Sequence, residues 1–583
     1  MTGGLYRSAN AAPDDDPPAG EPPVPVPVEA QPALDAGGPP QPGAGADGSS
    51  GAAASSAVMA VGSLISRGTG FVRTAAIAAT LGGGIVANAY TTAQLFPGMI
   101  YELLLGGILS SVVVPVLVRR RRSDPDRGEA YAQRLLTLAT LALAGATALA
   151  VLAAPLLTRL YASGETSPEF RGLVTTFSYL MLPIMFFSGV SALLGAVLNT
   201  RGHFAAPMWA PILNNLVVIG AAGLYVALFG ARAVGVDAMT PGRIAVIGGG
   251  TLLGVVVQTA GLWPALRRVG FRWRWRFDVR ALGLRELARL GGWMFCYVAV
   301  SQVGVFVLLN LLNQASKDGR AAGVAIYNNV FLLMMMAHGI VAVSIITALM
   351  PRMSAAAADG RFADVAADLS RGTRMSTAVL APLAVCYAVL AQPISITLFE
   401  RGAFGRGDSR QTSIVLLVAA VALVPFAVSQ LFTFAFYAMP DTKTPALINI
   451  PVVALRVAVQ VALFAAFSAS FTAAGLMLGN AVSYVAAVLL SGWYLRSRVG
   501  RIGLRRIAVT TGKVLVAAAG AALAGLGVLA LLPGGADPTW WQAFLRLVIG
   551  GLAIGLAYLL LALTLRLGEM SELLGLVRRR LGR

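Results

Sequence analysis

Cysteine and histidine are nearly absent from this chain of 583 residues, which contains two of each. Cys296 and Cys386 both lie in apolar segments, so the sequence gives no basis for a disulfide framework. His203 and His338 are too few and too far apart in sequence to form a metal site. We therefore expect neither a metal nor any other cofactor.

Charged residues are also scarce, at 12% of the chain, whereas 57% of the residues are hydrophobic. The mean hydropathy is +0.74. A typical soluble chain carries about 25% charged residues. The composition therefore excludes a soluble protein and predicts one that lies in a lipid bilayer.

Residues 1–55 lack the long apolar runs of the rest of the chain. They are rich in proline, alanine and glycine, and they contain seven acids but one arginine. This composition predicts a disordered tail on the cytoplasmic side. The tail has no basic segment leading into an apolar core, so it does not resemble a cleavable signal peptide.

The residues after position 55 contain fourteen apolar segments, each about 20 residues or longer, which is the length an α-helix needs to cross a bilayer. None of them shows the alternation of a β-strand, so we predict an all-α polytopic membrane protein. The predicted helices 1 to 14 are 56–81, 85–118, 135–157, 172–198, 207–229, 244–264, 287–313, 322–350, 375–399, 412–438, 445–467, 471–495, 508–532 and 543–565.

Lysine and arginine are distributed unevenly between the connections of these helices. The connections after the even-numbered helices contain 24 of them, and those after the odd-numbered helices contain 9. Because basic loops tend to remain in the cytoplasm, both termini are predicted to be cytoplasmic. The net charge of +19 is therefore largely a topology signal.

The segment 271–277 alternates aromatic and basic residues, a pattern that also occurs on nucleic-acid-binding surfaces. It lies in a predicted cytoplasmic connector, 265–285, where tryptophan and arginine serve as headgroup anchors. We interpret it as an interfacial anchor, with membrane lipids and no nucleic acid as its partner.

An internal repeat relates two parts of the helical region. The sequence around Pro155 recurs around Pro393, and Pro207 recurs as Pro445, both at an offset of 238 residues. Each pair of positions is six helices apart. An even number of helices keeps two repeats in the same orientation, so the axis that relates them lies along the membrane normal.

The repeat predicts two equivalent six-helix lobes, 56–264 and 286–495, related by a pseudo-two-fold axis. Residues 496–583 add helices 13 and 14 and a basic cytoplasmic tail. This architecture is typical of transporters that rock around a central site.

Two arginines, Arg67 and Arg73, lie inside the first apolar segment, where each charge costs at least about 2.5–3.5 kcal/mol. On an ideal helix they are about 9 Å apart along the axis, and the intervening Gly68 and Gly70 weaken the helix. A bend there would turn both guanidinium groups toward one cavity, which would bind phosphate or carboxylate. The alternative is that one arginine extends to the interface and the other pairs with Glu102.

Acids are almost absent from the predicted spans, where Glu102 is the only one. Exporters driven by protons or sodium normally need intramembrane carboxylates, and an enzyme acting on lipid-linked sugars needs carboxylates, histidine or a metal at a membrane face. The sequence therefore favours a transporter of an anionic cargo, and not an enzyme. Arg456 in helix 11 is either one partner of a pair that holds the lobes together or a coupling residue.

The motif Ser66-Arg67-x-x-Gly70-Phe71-x-Arg73 resembles helix 1 of the MurJ/MviN family of lipid II flippases, in the multidrug/oligosaccharidyl-lipid/polysaccharide exporter superfamily. The resemblance covers about residues 56–565. Further segments resemble the family in the same order: 195–200 with Phe204 and Pro207, 398–404, and 436–445.

The resemblance implies a central cationic cavity formed by helices 1, 2, 7 and 8. It implies lipid II as cargo, an undecaprenyl-pyrophosphate-linked disaccharide-pentapeptide, moved from the inner to the outer leaflet of the bacterial cytoplasmic membrane by alternating access. Arg67 and Arg73 inherit the role of binding the pyrophosphate, with Asn88, Glu102 and Gln302 as further polar contacts. Cell-wall synthesis proteins are the expected protein partners.

Two other functions remain open at this point. The chain is alternatively a flippase or exporter of another polyprenyl-linked glycan, or a membrane scaffold that transports nothing.

The chain departs from the family pattern at several charged positions. Asn88 stands where many members have aspartate, and the charged residues that many members carry in helix 8 fall near Phe331 and Met335. These departures indicate a divergent branch, and the alanine, arginine and glycine usage is typical of high-GC Gram-positive bacteria. Some members bind sodium through helix 11, where this chain has Arg456, so we expect a sodium-independent cycle.

Overall fold

The computed structural model describes residues 49–106, 117, 120–121, 124–126, 128–161, 167–278, 284–315 and 322–570. Within these ranges the chain is almost entirely helical, and we label the long helices α1 to α14 in chain order. Residues 1–48 of the predicted N-terminal tail and residues 571–583 of the C-terminal tail lie outside the described residues.

The first lobe begins with α1, which starts before the predicted boundary at position 56. α4 is interrupted at Leu182 and Pro183, and α6 contains a π-helical turn at Ala245–Gly249. The bounds are α1 Ser49–Leu81, α2 Ile85–Tyr101, α3 Glu129–Leu152, α4 Pro168–Thr200, α5 Ala205–Phe229 and α6 Pro241–Arg268.

The remaining eight helices follow the predicted order. A short helix precedes α10, at Ala391–Phe399, as another precedes α4 in the first lobe, at Ala154–Tyr161. The bounds are α7 Leu284–Ala315, α8 Val324–Ala358, α9 Phe362–Val389, α10 Arg406–Ala438, α11 Lys443–Ala466, α12 Ala469–Val499, α13 Leu504–Leu531 and α14 Trp540–Thr564.

Twelve helices of the described part, α3 to α14, are long and apolar enough to cross a membrane. The other two long helices, α1 and α2, are not among these twelve. α1 carries Arg67 and Arg73, and α2 is 17 residues long before it continues as the π-helical segment Glu102–Gly106. The prediction of an all-α polytopic membrane protein is confirmed.

The packing partners of the helices repeat after six helices. α1 packs against α5 as α7 packs against α11, and α5 packs against α6 as α11 packs against α12. Likewise, α2 packs against α4 as α8 packs against α10. α13 and α14 pack against each other and against α9, and α14 also packs against the short helix Ala391–Phe399. The order of neighbours is therefore the same in α1–α6 and α7–α12, which we call the first and second six-helix groups.

The two ends of the bundle are distinguished by their connections. We call one end the odd face, where residues 82–84 and 400–405 lie, and the other end the even face, where residues 201–204 and 439–442 lie. On the even face, residues 271–278 have no regular secondary structure and contact α3. There Gln133 Nε2 donates to the Arg272 carbonyl at 2.7 Å.

Candidate functional site

Arg73 lies at the wall of a small cavity between α1, α2 and α8. Its side chain is buried, at 6% exposure, and the cavity of about 30 Å³ is also lined by Tyr90 and Asn328. Arg73 precedes the end of α1 by eight residues, which places it about 12 Å from the odd face. Among the described residues no acid forms an ion pair with it, so a buried, permanent positive charge lacks a protein counter-charge here.

Arg67 lies about 1.7 turns further from the odd face, about 21 Å from the end of α1. Its guanidinium group reaches α8 and occupies the space where Gly339 would carry a Cβ atom. Arg67 is half-buried and lines neither of the two cavities described here. The structure thus brings both arginines to α8, but it does not bring them to the lining of one common cavity.

A much larger cavity, of about 220 Å³, lies mainly within the second six-helix group. Its walls come from α7, α8, α10, α11 and α12, with α2 and the turn after it on one side. Three residues predicted from sequence line it, namely Glu102, Gln302 and Arg456. They lie on three different helical segments of the two groups.

Glu102 and Gln302 form a hydrogen bond that joins the two six-helix groups. Gln302 Nε2 donates to Glu102 Oε2 at 3.2 Å. Pro97 lies in the last turns of α2, and the π-helical segment begins at Glu102 itself, so the local backbone departs from a regular α-helix where this carboxyl group faces α7. The oxygen of the same amide, Gln302 Oε1, is buried and has no hydrogen-bond partner among the described residues.

Arg456 stays within the second six-helix group. Its Nε donates to Ser483 Oγ at 3.2 Å, its guanidinium lies 5.8 Å from the centre of the Tyr484 ring, and Gly304 on α7 leaves room for it. No described acid forms an ion pair with it. In this conformation Arg456 therefore joins α11 to α12 and faces the large cavity, and it does not bridge the two groups.

Asn88 lies one turn into α2 and is almost fully buried, at 1% exposure. Its Oδ1 accepts a hydrogen bond from the Ala325 backbone N–H at 3.1 Å, in the first turn of α8. The N-cap residue of α8 is Gly323, whose lack of a side chain makes room for Asn88. Asn88 thus supplies the cap that α8 cannot supply itself, and it lines neither described cavity.

Asn328 lines both cavities and therefore lies between the site of Arg73 and the site of Arg456. The sequence analysis missed it. The signal available was a polar run in an otherwise apolar span, Tyr327-Asn328-Asn329, together with Gln430 in α10. Gln430 also lines the large cavity.

The odd face is held closed by hydrogen bonds between the two six-helix groups. Gly83 N–H donates to Asp408 Oδ2 at 3.0 Å, and Ala403 N–H donates to the Ala79 carbonyl at 2.8 Å. Gly402 has φ +58°, and a Cβ atom there would collide with the Ala79 carbonyl. The sequence analysis assigned no role to Asp408.

The chain matches a family model described as "Lipid II flippase MurJ" over residues 77–539. A relative from Burkholderia cenocepacia, named lipid II flippase MurJ, is 28% identical over 397 residues, which cover 67% of this chain and 74% of the relative. A relative from Synechocystis sp. is 26% identical over 472 residues, which cover 80% of this chain and 86% of the relative.

Two solved structures show the same fold. A lipid II flippase MurJ in an inward closed conformation superposes with a TM-score of 0.67 at 19% identity, covering 90% of this chain and 99% of the other. An inward-facing multidrug resistance MATE family transporter of the MOP superfamily has a TM-score of 0.60 at 14% identity, covering 74% and 94%. Together with the extent of the family match, these similarities confirm the predicted resemblance: the chain belongs to the lipid II flippase MurJ family.

Proposed function

We propose that this protein moves lipid II from the inner to the outer leaflet of the bacterial cytoplasmic membrane. Membership of the flippase family indicates a transporter, and the chemistry of the site supports an anionic cargo. The observation that carries the proposal is Arg73, which is buried beside a cavity without an acidic partner among the described residues. Such a charge is costly at membrane depth and is retained where it binds a ligand.

The diphosphate is the part of the cargo that suits the two arginines. A guanidinium group binds phosphate oxygens through two parallel hydrogen bonds and keeps its charge at any physiological pH. Arg73 would bind one phosphate in the cavity where it lies. Arg67, about 9 Å further along α1, would bind the other when the lobes separate and free it from Gly339.

The proposed cycle is alternating access, in which lobe 56–264 rocks against lobe 286–495. The odd face corresponds to the outside, because the connections on the even face carry most of the lysine and arginine. Both termini then lie in the cytoplasm. The hydrogen bonds of Asn88 and Asp408 would break when the odd face opens to release the cargo.

Complementation of a strain depleted of its own lipid II flippase tests the proposal. We expect the wild-type chain to restore growth and Arg73→Gln to fail, because the neutral amide removes the charge that binds the diphosphate. Arg73→Lys should restore growth in part, since it keeps the charge but loses the two-pronged geometry. Arg232→Gln is the matched control, because Arg232 is exposed on the odd face.

Each outcome separates the candidate functions, provided that immunoblots and thermal unfolding show equal amounts of folded protein. No rescue by the wild type favours transport of another polyprenyl-linked glycan. Rescue by both wild type and Arg73→Gln would show that the charge of Arg73 is not required, and would overturn its role in binding the diphosphate. Flipping of labelled lipid II by the purified wild type in proteoliposomes, lost in Arg73→Gln, then assigns the activity to this chain without its expected cell-wall synthesis partners.

A further inference from the structure

The large cavity has a charge composition that does not suit a diphosphate. Among the described residues, its lining contains one base, Arg456, and one acid, Glu102. Neither Arg67 nor Arg73 lines it. A diphosphate carries two or more negative charges and would lack compensation here, whereas a single carboxylate matches the single guanidinium.

The rest of the lining is neutral but rich in hydrogen-bonding groups. Six residues illustrate this: Tyr297, Gln302, Asn328, Gln430, Asn449 and Asn480. Amides and phenol rings in a concave, partly apolar site are the groups that fix the orientation of a polar organic ligand. Sugars and peptide bonds present the complementary donors and acceptors.

Two groups in this cavity are available to a ligand. Arg456 has a hydroxyl and an aromatic ring as neighbours but no acid among the described residues, so its charge is uncompensated. Gln302 Oε1 is buried and accepts no hydrogen bond from any described residue. A buried acceptor without a partner costs about 1–3 kcal/mol, which a donor such as an amide N–H of a ligand would recover.

Glu102 does not compensate Arg456. Its carboxylate accepts a hydrogen bond from Gln302, whereas Arg456 lies against Gly304, two positions further along α7. Among the described residues no ion pair joins Glu102 to Arg456, although both line this cavity. The base therefore remains free to bind a carboxylate of a ligand.

The large cavity adjoins the place where the diphosphate would bind. Asn328 lines both this cavity and the small cavity of Arg73. Asn328 therefore lies between the two sites, and a cargo held at Arg73 by its diphosphate would reach Arg456 if its headgroup extended past this side chain.

We propose that the large cavity of the second six-helix group binds the glycopeptide of the lipid-linked cargo, and that Arg456 binds a carboxylate of its peptide. This inference rests on the proposed function and adds a specificity-determining residue to it. It assigns the diphosphate to the first group and the peptide to the second, so the cargo contacts both lobes that move.

Binding of four probes to the purified full chain in detergent, measured by native mass spectrometry and fluorescence titration, tests this inference. The probes are a polyprenyl-diphosphate disaccharide-pentapeptide, the same molecule with its peptide carboxylates amidated, the same molecule without its peptide, and polyprenyl diphosphate alone. We expect the wild type to bind the first probe roughly 10- to 100-fold more tightly than the amidated one. Arg456→Gln should abolish this preference and leave the affinity for the two peptide-free probes unchanged.

Two further variants separate local recognition from general electrostatics. Arg456→Lys should keep part of the preference, because it retains the charge but not the planar fork. Arg505→Gln should keep all of it, since Arg505 is exposed outside the cavity.

Three results would overturn the inference. Equal affinity of the wild type for the carboxylate and amidated probes would show that no carboxylate is recognised. An equal loss of all four probes in Arg456→Gln would assign Arg456 to the diphosphate or to the fold. If the wild type binds none of the probes, the proposed function itself fails, whereas binding without discrimination refutes only the carboxylate site.

Discussion

The hydrogen bond between Asn88 and the first turn of α8 should control how often the odd face opens. Asn88 belongs to the first six-helix group and Ala325 to the second, and the bond joins residues 237 positions apart in sequence. Replacing Asn88 with alanine removes the acceptor but leaves the Ala325 N–H buried between the two groups. When the odd face opens, the same N–H can bind water. The substitution therefore destabilises the closed conformation more than the open one.

The expected magnitude follows from the cost of the orphaned donor. A buried N–H without a partner costs about 1–3 kcal/mol, and loss of a helix cap costs about 1 kcal/mol, which is the same interaction counted from the side of α8. A change of 1–3 kcal/mol in the balance between two conformations corresponds to about 5- to 150-fold. We expect the open fraction of Asn88→Ala to rise within this range relative to wild type.

Distances between spin labels on the odd face provide the assay. Cysteines at Ala233 and Gly407, both exposed and in different six-helix groups, would carry the labels. Asn215→Ala is the matched control, because Asn215 is a buried asparagine whose bonds to Ser66 and Thr69 remain within the first group. It should lower stability without changing the distance distribution.

The reasoning is refuted if Asn88→Ala leaves the distance distribution unchanged while the protein stays folded. It is also refuted if Asn215→Ala opens the odd face as much as Asn88→Ala does. A direct role of Asn88 in binding cargo would instead appear as weaker binding of lipid II at an unchanged distance distribution.

Three further expectations concern other contacts. Gly402→Ala should open the odd face in the same spin-label assay, because φ +58° costs alanine about 1 kcal/mol and its Cβ would meet the Ala79 carbonyl; an unchanged distribution would contradict this. Arg374→Met should lower the free energy of unfolding in detergent by about 3 kcal/mol, since it leaves the Glu569 carboxylate buried at 6% exposure without its ion-pair partner, and adding Glu569→Leu should restore much of it. Transport should proceed equally in sodium and potassium buffers if the permanent charge of Arg456 takes the place of a bound sodium ion, and a steep rise with sodium would refute this.

The fold was predictable from the sequence because its main signals are local. An apolar run of about 20 residues commits its own backbone to a helix regardless of what it packs against, since unpaired backbone groups are not tolerated in lipid. The repeat at an offset of 238 residues indicated two similar groups of six helices. The order in which helices pack against each other is indeed the same in α1–α6 and α7–α12. Arg67 and Arg73 stood out for the same reason, as charges inside an apolar segment.

The arrangement of the site was not predictable, because it depends on how each helix is rotated and on which conformation the lobes adopt. The sequence by itself determined the class of the protein, the number and order of its long helices and the residues whose charge is costly in lipid. Only the tertiary structure decided that Asn88 caps α8, that Arg456 faces a large cavity which Arg73 does not line, and that Asn328 lies between the two cavities. These contacts connect residues hundreds of positions apart, and a hydropathy pattern records burial in lipid but not which neighbour a side chain meets.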